Sequence, residues 1–246
     1  GGGCINSGPK ACELVTKLIQ KTKIPTTMTL MGLGVLAASN KYSLGMLGMH
    51  GMYESNMAMH DCDVMINIGA RFDDRVTGRL DAFSPNSKKI HIDIDASNIN
   101  KTIKIDIPII GDIESVITQF LNSWEKNKYN IDEKELNKWW DKINNWKKID
   151  CLNYNQGKDI IKPQHAIKRL YDLTKNKNTF ITTEVGQHQM WAAQYYKFEK
   201  PNRWLTSGGL GTMGYGFPAA IGAQIANPDA LVIDVAGDAS ILMNIQ

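Results

Sequence analysis

The stretch "ALVIDVAGDAS", residues 230–240, predicts the fold class of this chain. Leu231–Val235 is an apolar run of strand length, and Gly237-Asp238-Ala239-Ser240 follows it as a turn ahead of a predicted helix. A strand, a Gly-Asp turn and a helix in this order present a carboxylate at the carboxyl end of a parallel sheet in α/β proteins. We therefore expect a ligand site at Asp238.

Strands and helices alternate along the rest of the chain. This alternation favours parallel sheets that are covered by helices on both faces and joined by right-handed crossovers. The other predicted strands are Ile24–Leu30, Asp63–Ala70, Lys88–Asp95, Ile107–Asp112 and Thr179–Gly186, and the predicted helices include residues 113–124, 164–174 and 189–195.

A change of composition separates two α/β units. Residues 125–158 are rich in Lys, Asn, Asp and Glu, and the apolar residues among them recur at helical spacing. This spacing predicts a helical linker packed on a neighbouring surface rather than a tryptophan-lined binding groove. The stripe consists of Leu136, Trp139, Trp140, Ile143 and Trp146. We predict a first domain at residues 1–125, a linker at 126–160 and a second domain at 161–246.

Composition excludes two classes of partner. The chain has 246 residues with 28 basic and 25 acidic side chains, a balance too even for nucleic acid. No apolar run reaches membrane-spanning length, so we expect no membrane partner.

The cysteines, at positions 4, 12, 62 and 151, have no C-x-x-C spacing and predict free thiols in a reducing compartment. The chain starts without Met and stops inside a predicted helix, so we expect an internal piece of a longer polypeptide.

Three glycine-rich stretches are candidate phosphate sites. Glycine permits unusual backbone angles and close approach, and amides at the start of a helix favour phosphate. For any one stretch alone, a tight turn without a ligand is an equally good explanation. The stretches are Gly1–Gly3, Met46–Gly51 and Ser207–Gly214.

The third stretch formally matches the dinucleotide fingerprint. Gly209, Gly211 and Gly214 have the required spacing, and Asp234 follows about twenty residues later. The fingerprint expects its acidic residue at the end of a strand, where it reaches a ribose, but Asp234 lies inside an apolar strand. We therefore do not favour NAD as the ligand.

The segment "GARFDDRVTG", Gly69–Gly78, carries a more specific pattern. It follows a predicted strand directly and is dense in charge. Such a loop at the carboxyl end of a parallel strand is where α/β sheets bind ligands, and arginine suits phosphate. A solvated salt-bridge cluster explains the loop nearly as well. The residues alone thus predict a phosphate-bearing ligand on the first unit and a Gly-Asp site on the second, and they do not identify a reaction.

Several motifs together resemble one enzyme family. The segments "GGGC", "TLMGLG", "LGMHG", "GARFDDRVTG", "VGQHQMW" and "WLTSGGLGTMGYGFPAAIGA" occur in the order found in the catalytic (large) subunit of acetohydroxyacid synthase, also called acetolactate synthase, a thiamine diphosphate enzyme. The resemblance covers the chain apart from the linker. It implies a central Rossmann-like, FAD-binding α/β domain followed by the incomplete start of a second parallel α/β domain, which binds thiamine diphosphate.

The resemblance also implies an activity and partners. It implies decarboxylation of pyruvate on thiamine diphosphate and transfer of the two-carbon unit to pyruvate or 2-ketobutyrate. The products, 2-acetolactate and 2-aceto-2-hydroxybutyrate, lead to the branched-chain amino acids. The implied assembly is a homodimer or homotetramer, with a small regulatory subunit as an open question. The implied compartment is the bacterial cytoplasm, or a plastid or mitochondrion in a eukaryote, with the cytoplasm preferred.

The resemblance assigns FAD contacts to the first unit, where the cofactor takes no part in the net reaction. The matching positions are Gly1, Gly2, Gly3, Leu30, Met31, Leu47, Gly48, Met49, His50, Gly51, Arg71, Asp73, Arg75, Val76, Asp93, Asp95, Gly111 and Asp112.

The resemblance assigns thiamine diphosphate and Mg²⁺ to the second unit. Asp238 is the implied magnesium ligand, and the implied activating Glu belongs to a preceding domain of a partner subunit. This piece alone is therefore expected to be inactive and to hold no catalytic residue. The positions implied to contact thiamine diphosphate are Val185, Gly186, Gln187, His188, Gly211, Met213, Ala239 and Ser240.

Two positions depart from the family pattern, and two alternatives stay open. Asn98 stands where many relatives carry Glu. Ala239 stands where Gly is commoner, and alanine is harmless at this position only if φ is negative. One alternative is another thiamine diphosphate enzyme, such as a pyruvate oxidase or another carboligase. The other alternative is a non-catalytic nucleotide-binding module.

Overall fold

A computed structural model describes residues 1–246 as two compact units, Gly1–Cys151 and Leu152–Gln246. Every strand pair in both units is parallel, and the strands alternate with helices. The predicted α/β class with parallel sheets is confirmed. None of the helices has the length and apolar character needed to cross a membrane.

Unit 1 contains two parallel sheets. One sheet pairs β1 with β2, and the other has the order β3-β4-β5. The elements are α1 (Gly2–Asn6), α2 (Pro9–Thr22), β1 (Thr26–Met28), β2 (Ser43–Met46), α3 (Tyr53–Asp61), β3 (Val64–Ile68), α4 (Asp74–Thr77), β4 (Lys88–Asp93), β5 (Ile107–Ile110), α5 (Ile113–Lys126) and α6 (Glu133–Lys147). Single 3-10 turns occur at Leu30–Gly32, Leu80–Ala82 and Ala96–Asn98.

The register of the larger sheet of unit 1 aligns the carboxyl ends of its strands. Ile68 of β3 pairs with Ile92 of β4, and the next residue, Asp93, pairs with Ile110 of β5. The loops that follow these strands therefore leave the sheet along one edge. Ligands of α/β sheets bind at this edge.

Helix α6 carries the predicted tryptophan stripe as a packing surface. Ile143 is fully buried with Leu44 and Ala58, and the indole rings at 139, 140 and 146 pack around this cluster. The Trp140 indole donates a hydrogen bond of 2.9 Å to the carbonyl of Lys23. The stripe thus holds α6 against the body of unit 1.

Unit 2 contains one sheet in the order β7-β6-β8. Every residue of the central strand β6 is buried, because helices cover both of its faces. The elements are α7 (Pro163–Thr174), β6 (Thr179–Thr183), α8 (Gln187–Tyr195), β7 (Trp204–Thr206), α9 (Gly216–Ala226) and β8 (Leu231–Val235), followed by a 3-10 turn at Ser240–Met243.

The structure differs from the sequence prediction in three places. Residues 24–30 form a strand only at β1, and a 3-10 turn takes over at Leu30. Strand β2 and helix α3 were not predicted. Strand β2 is only four residues long and contains Gly45, so it has no clear strand pattern. The helix expected after Ser240 is a single 3-10 turn, because so short a segment does not offset the cost of nucleating an α-helix.

Candidate functional site

The loops of unit 1 that follow β3, β4 and β5 are bonded to one another. The amide of Gly69 donates to the carbonyl of Ile92 at 2.9 Å, and the amide of Gly111 donates to the carbonyl of Asp93 at 3.0 Å. These bonds continue the sheet by one residue beyond each strand. They bring the predicted sites at Arg71, Asp93 and Gly111 to the same edge.

The glycine triplet packs directly on the start of the arginine loop. The amide of Gly3 donates to the carbonyl of Gly69 at 2.9 Å, and a Cβ built on Gly3 would lie 2.8 Å from Cα of Gly69. A Cβ on Gly2 would lie 3.0 Å from Cβ of Met31. Close approach of backbone to backbone therefore explains why these positions are glycine, and it places Met31 beside the arginine loop.

A second contact joins Leu47–Gly51 to the arginine loop. The amide of Met49 donates to the carbonyl of Arg75 at 2.7 Å, and a Cβ on Gly48 would lie 2.5 Å from the same oxygen. The side chain of Asn56, which was not predicted, accepts from the Gly48 amide at 2.8 Å and donates to its carbonyl at 2.9 Å. The side chains of Met49 and Arg75 remain exposed to solvent.

Three predicted carboxylates of unit 1 form local turns. Asp73, Asp95 and Asp112 each accept a hydrogen bond from a nearby backbone amide, at 3.0, 2.9 and 3.2 Å. Hydrogen bonds from the side chain and the amide of Ser97 hold the pKa of Asp95 below its ordinary value. One oxygen of each carboxylate is therefore engaged in positioning a loop or capping a helix.

Asp93 and His91 lie beneath this edge. The Asp93 carboxylate accepts from the Asp95 amide at 2.9 Å and from the Asn98 side chain at 3.3 Å, so Asn98 contacts Asp93. His91, which was not predicted, is fully buried with Nε2 at 3.5 Å from the same carboxylate and packs edge-on against Phe72. Burial lowers the pKa of His91, and this favours a neutral ring at neutral pH.

Two glycines of unit 2, Gly186 and Gly237, flank the ring of His188. A Cβ on Gly186 would lie 2.8 Å from Cε1 of this ring, and a Cβ on Gly237 would lie 3.1 Å from the same atom. Glycine at both positions therefore leaves room for the imidazole. This arrangement places the "VGQHQMW" motif against the Gly-Asp turn that follows β8.

Glu184 fixes the ring of His188 and was not predicted. Its Oε2 lies 2.8 Å from Nε2 of His188 and accepts from the Gly237 amide at 3.3 Å. The side chain is fully buried, and its Oε1 has no hydrogen-bond partner. A buried carboxylate therefore links the histidine to the Gly-Asp turn. A pattern of residue types cannot distinguish such a carboxylate from an exposed one.

Asp234 is engaged inside the sheet. The hydroxyl of Thr182 donates to its Oδ1 at 2.8 Å, and burial raises the pKa of Asp234, with the charge of Glu184 acting in the same direction. The carboxylate is therefore not free at the end of a strand to bind a ribose. This agrees with the expectation that the glycine spacing at 209–214 is no dinucleotide site.

The remaining predicted residues of unit 2 surround the Gly-Asp turn or lie near it. Ala239 has φ of −113°, so its methyl group causes no backbone strain in place of glycine. Ser240 is buried, with its Oγ 3.2 Å from where a Cβ on Gly237 would stand, and a Cβ on Gly211 would lie 3.2 Å from Val185. The exposed positions are Val185, Gly186, Gln187, Met213 and Asp238.

The oxygen donors of unit 2 fit a magnesium ion that is shared with a phosphate. No group of three or more His, Cys, Asp or Glu side chains in the chain could hold a metal by itself. Asp238 is an exposed carboxylate on a glycine turn, and Mg²⁺ in proteins usually takes only one or two carboxylates together with phosphate oxygens.

The positions predicted to contact FAD all lie in unit 1, and those predicted to contact thiamine diphosphate all lie in unit 2.

Two family models match the chain. Residues 1–120 match the central domain of thiamine pyrophosphate enzymes, and residues 184–246 match their C-terminal TPP binding domain. These matches confirm at family level the prediction made from the sequence motifs.

Curated relatives align with the whole chain. It is 46% identical over 246 residues to acetolactate synthase isozyme 3 large subunit of Escherichia coli strain K12, with 100% of the chain and 42% of that relative covered. It is 50% identical over 247 residues to an acetolactate synthase large subunit of Buchnera aphidicola, with 100% and 42% covered. It is 46% identical over 246 residues to the chloroplastic acetolactate synthase 1 of Nicotiana tabacum, with 100% and 36% covered. The chain thus spans less than half the length of these relatives.

The packing of the Glu184 and Asp234 carboxylates predicts that Gly216 does not tolerate a side chain. A Cβ there would overlap Oδ1 of Asp234 and lie 2.8 Å from Oε1 of Glu184. We expect Gly216→Ala to lower the free energy of unfolding by about 1–3 kcal/mol, the usual cost of overpacking, in urea titrations followed by circular dichroism.

Gly222→Ala is the matched control, because Gly222 lies on the same helix and a Cβ there meets nothing within 4 Å. Alanine in a helix interior is expected to stabilise by about 0.5–1 kcal/mol. Equal effects of the two substitutions would contradict the packing described around Glu184.

Proposed function

Because this chain belongs to the thiamine pyrophosphate enzyme family, we propose that the full-length protein is an acetohydroxyacid synthase. It decarboxylates pyruvate and condenses the two-carbon unit with pyruvate or 2-ketobutyrate in branched-chain amino acid biosynthesis. The observation that carries the proposal is that Glu184 joins His188, in the "VGQHQMW" motif, to the amide of Gly237, which precedes Asp238. The identity to acetolactate synthase large subunits along the entire chain supports this activity within the family.

We propose roles for three segments. Residues 1–125 form an FAD-binding domain, residues 126–160 a helical linker, and residues 161–246 the first part of a thiamine diphosphate-binding domain. The contacts that join the glycine triplet, the 47–51 loop and the arginine loop support the first assignment. The Gly-Asp turn beside His188 supports the third.

The side chains of unit 2 have distinct roles in this proposal. Asp238 holds Mg²⁺, while Gln187 and His188 contact the diphosphate. Glu184 occupies Nε2 of His188, so a hydrogen bond from the ring to a phosphate oxygen requires a proton on Nδ1. Val185, Gly186, Gly211, Met213, Ala239 and Ser240 line the cofactor.

The chemistry of the reaction belongs to the cofactor. Thiamine diphosphate, when bound, supplies the electron sink for decarboxylation of a 2-keto acid. The residues of this chain bind and orient the diphosphate end, and the buried Glu184 keeps His188 in one orientation. FAD bound to unit 1 takes no part in electron transfer, because the net condensation neither oxidises nor reduces its substrates.

The side chains of unit 1 fit a ligand that bears phosphates. Arg71 and Arg75 project into solvent from a loop at the carboxyl edge of the sheet. Guanidinium groups bind phosphate oxygens through paired hydrogen bonds. We assign these two arginines to the phosphates or the flavin of FAD.

The proposed assembly is a homodimer or homotetramer of full-length subunits. A preceding domain of a partner subunit supplies the activating Glu, and a small regulatory subunit is a further proposed partner. The free cysteines suit a reducing compartment, and we propose the bacterial cytoplasm in preference to a plastid or mitochondrion.

Product analysis of the full-length protein tests the proposed activity. We expect 2-acetolactate from pyruvate alone, and 2-aceto-2-hydroxybutyrate in addition when 2-ketobutyrate is present. Oxidation of the two-carbon unit with reduction of the flavin would instead identify a pyruvate oxidase. Retained flavin without turnover of either keto acid would identify a non-catalytic nucleotide-binding module.

Arg71→Ala should weaken flavin retention by the full-length protein. A charge-assisted hydrogen bond is worth about 1.5–3 kcal/mol, so we expect the FAD dissociation constant to rise roughly 10- to 100-fold in fluorescence titrations. Arg79→Ala is the control, because Arg79 is equally exposed but pairs with Asp81 at 2.7 Å. Unchanged FAD affinity in Arg71→Ala would exclude the assigned contact.

Asp238→Asn should raise the Mg²⁺ concentration needed for thiamine diphosphate binding, because it keeps the shape of the side chain and removes the charge. An increase of about tenfold or more, measured by calorimetric titration of the cofactor at stepped Mg²⁺ concentrations, is the expected result. Asp229→Asn, at an exposed position that precedes β8, serves as the control. If both variants need the same Mg²⁺ concentration as the unmodified protein, Asp238 is not the metal ligand.

A further inference from the structure

Asn56 binds both backbone groups of one glycine. Its Oδ1 accepts a hydrogen bond from the amide of Gly48 at 2.8 Å, and its Nδ2 donates to the carbonyl of the same residue at 2.9 Å. Two residues of neighbouring antiparallel strands exchange hydrogen bonds in the same paired way. Gly48 is buried and lies just after β2. The amide side chain therefore takes the place of a strand partner at the point where β2 has ended.

The residue type at position 56 serves this loop rather than the helix that carries it. Asn56 lies inside α3, and its backbone amide bonds to the carbonyl of Met52 at 3.1 Å. Asparagine is a poor helix former, because its side chain competes for backbone hydrogen bonds. In α3 that side chain bonds outside the helix, to the loop at 47–51. Its hydrogen-bonding capacity is thus used at the candidate site of unit 1.

Gly48 transmits the position of Asn56 to the arginine loop, Gly69–Gly78. A Cβ on Gly48 would lie 2.5 Å from the carbonyl oxygen of Arg75, and the amide of Met49 donates to this oxygen at 2.7 Å. Gly48 has φ of +101°, in the region that favours glycine. The backbone at 48 and 49 is therefore held directly against the arginine loop, and the two bonds from Asn56 fix its position.

The two loops that meet in this way both present exposed side chains. Met49 is 61% exposed, and the side chain of Arg75 is 71% exposed. The backbone makes the contact between the loops, so neither side chain is used in it. The relative position of these two side chains therefore depends on the backbone contact that Asn56 supports.

We propose that Asn56 is a positioning residue for ligand binding by unit 1. It clamps the 47–51 loop onto the arginine loop, so that the exposed side chains of both loops meet a single ligand. Asn56 acts through the backbone of Gly48 rather than on reacting atoms. The inference rests on the proposed function only in taking FAD as that ligand.

Hydrogen exchange of the full-length protein without cofactors, read by mass spectrometry, tests the clamp itself. Asn56→Leu keeps the approximate size of the side chain and removes both bonds, so we expect the amides at 48 and 49 to exchange roughly tenfold faster or more. Ser55→Ala is the matched control, because Ser55 on the same helix donates to the carbonyl of Leu44 in β2 rather than to the loop. Unchanged exchange at 48 and 49 in Asn56→Leu would overturn the inference, whether or not the protein binds FAD.

Fluorescence titration with FAD tests the positioning role. We expect the FAD dissociation constant to rise roughly 5- to 50-fold in Asn56→Leu and to stay within about twofold in Ser55→Ala, although both substitutions lower the melting temperature. Faster exchange at 48 and 49 with unchanged FAD affinity would overturn the positioning role. If the unmodified protein does not bind FAD, the proposed function fails, and hydrogen exchange alone decides whether the clamp exists.

The pH profile of Asn56→Asp separates hydrogen bonding from packing. A carboxylate only accepts hydrogen bonds, whereas a protonated carboxyl group both accepts and donates, as the amide does. The carbonyl of Gly48 favours the protonated form, so the pKa of the introduced carboxyl group lies above its ordinary value of about 4. We expect the FAD dissociation constant of Asn56→Asp to exceed that of the unmodified protein about tenfold near pH 8, and this ratio to fall toward one near pH 5.

The ratio of the two dissociation constants removes the effect of other titrating groups. His60 of α3 and Asp74 and Arg75 of the arginine loop line a cavity together with Asn56. Both proteins contain these groups, so their titration cancels in the ratio. A ratio that stays constant between these two pH values would show that position 56 does not act through hydrogen bonds, and it would overturn the inference.

Discussion

Contact between two glycines at the carboxyl ends of the strands positions the loops of unit 1. The amide of Gly3 bonds to the carbonyl of Gly69, and neither residue has a side chain that could separate the two backbones. Gly69 in turn bonds to the end of β4. The arginine loop that follows Gly69 is therefore anchored on the glycine triplet and on the sheet. The backbone alone makes these contacts, so the exposed arginine side chains of the loop take no part in anchoring it.

In unit 2, the buried carboxylate of Glu184 positions His188 and the Gly-Asp turn. Glu184 loses its hydration on burial, and the contacts with His188 and the Gly237 amide offset that cost only in part, since Oε1 stays unpaired. Removing His188 would leave this carboxylate without its main partner. Substitution of His188 by alanine is therefore expected to lower stability as well as to remove the proposed phosphate contact. Substitution at the exposed Asp238 separates these two effects more cleanly.

The sequence predicted the strands whose apolar runs are long, and it predicted the loops that follow them. Residues 63–70, 88–95 and 231–235 belong to such strands, and their carboxyl ends lie where parallel pairing requires. The sequence missed β2, because a four-residue strand containing glycine has no clear periodicity. It also missed Glu184 and His91, whose importance comes from burial that only the folded chain creates. Sequence patterns suggested phosphate ligands, but the choice of cofactors came from the resemblance to a family.

A cavity of about 490 Å³ in unit 1 lies beside the candidate site. Gly1 and Ala70, beside the loops assigned to FAD, line this cavity. The cavity therefore borders both the glycine triplet and the start of the arginine loop, the two segments that we propose to hold FAD.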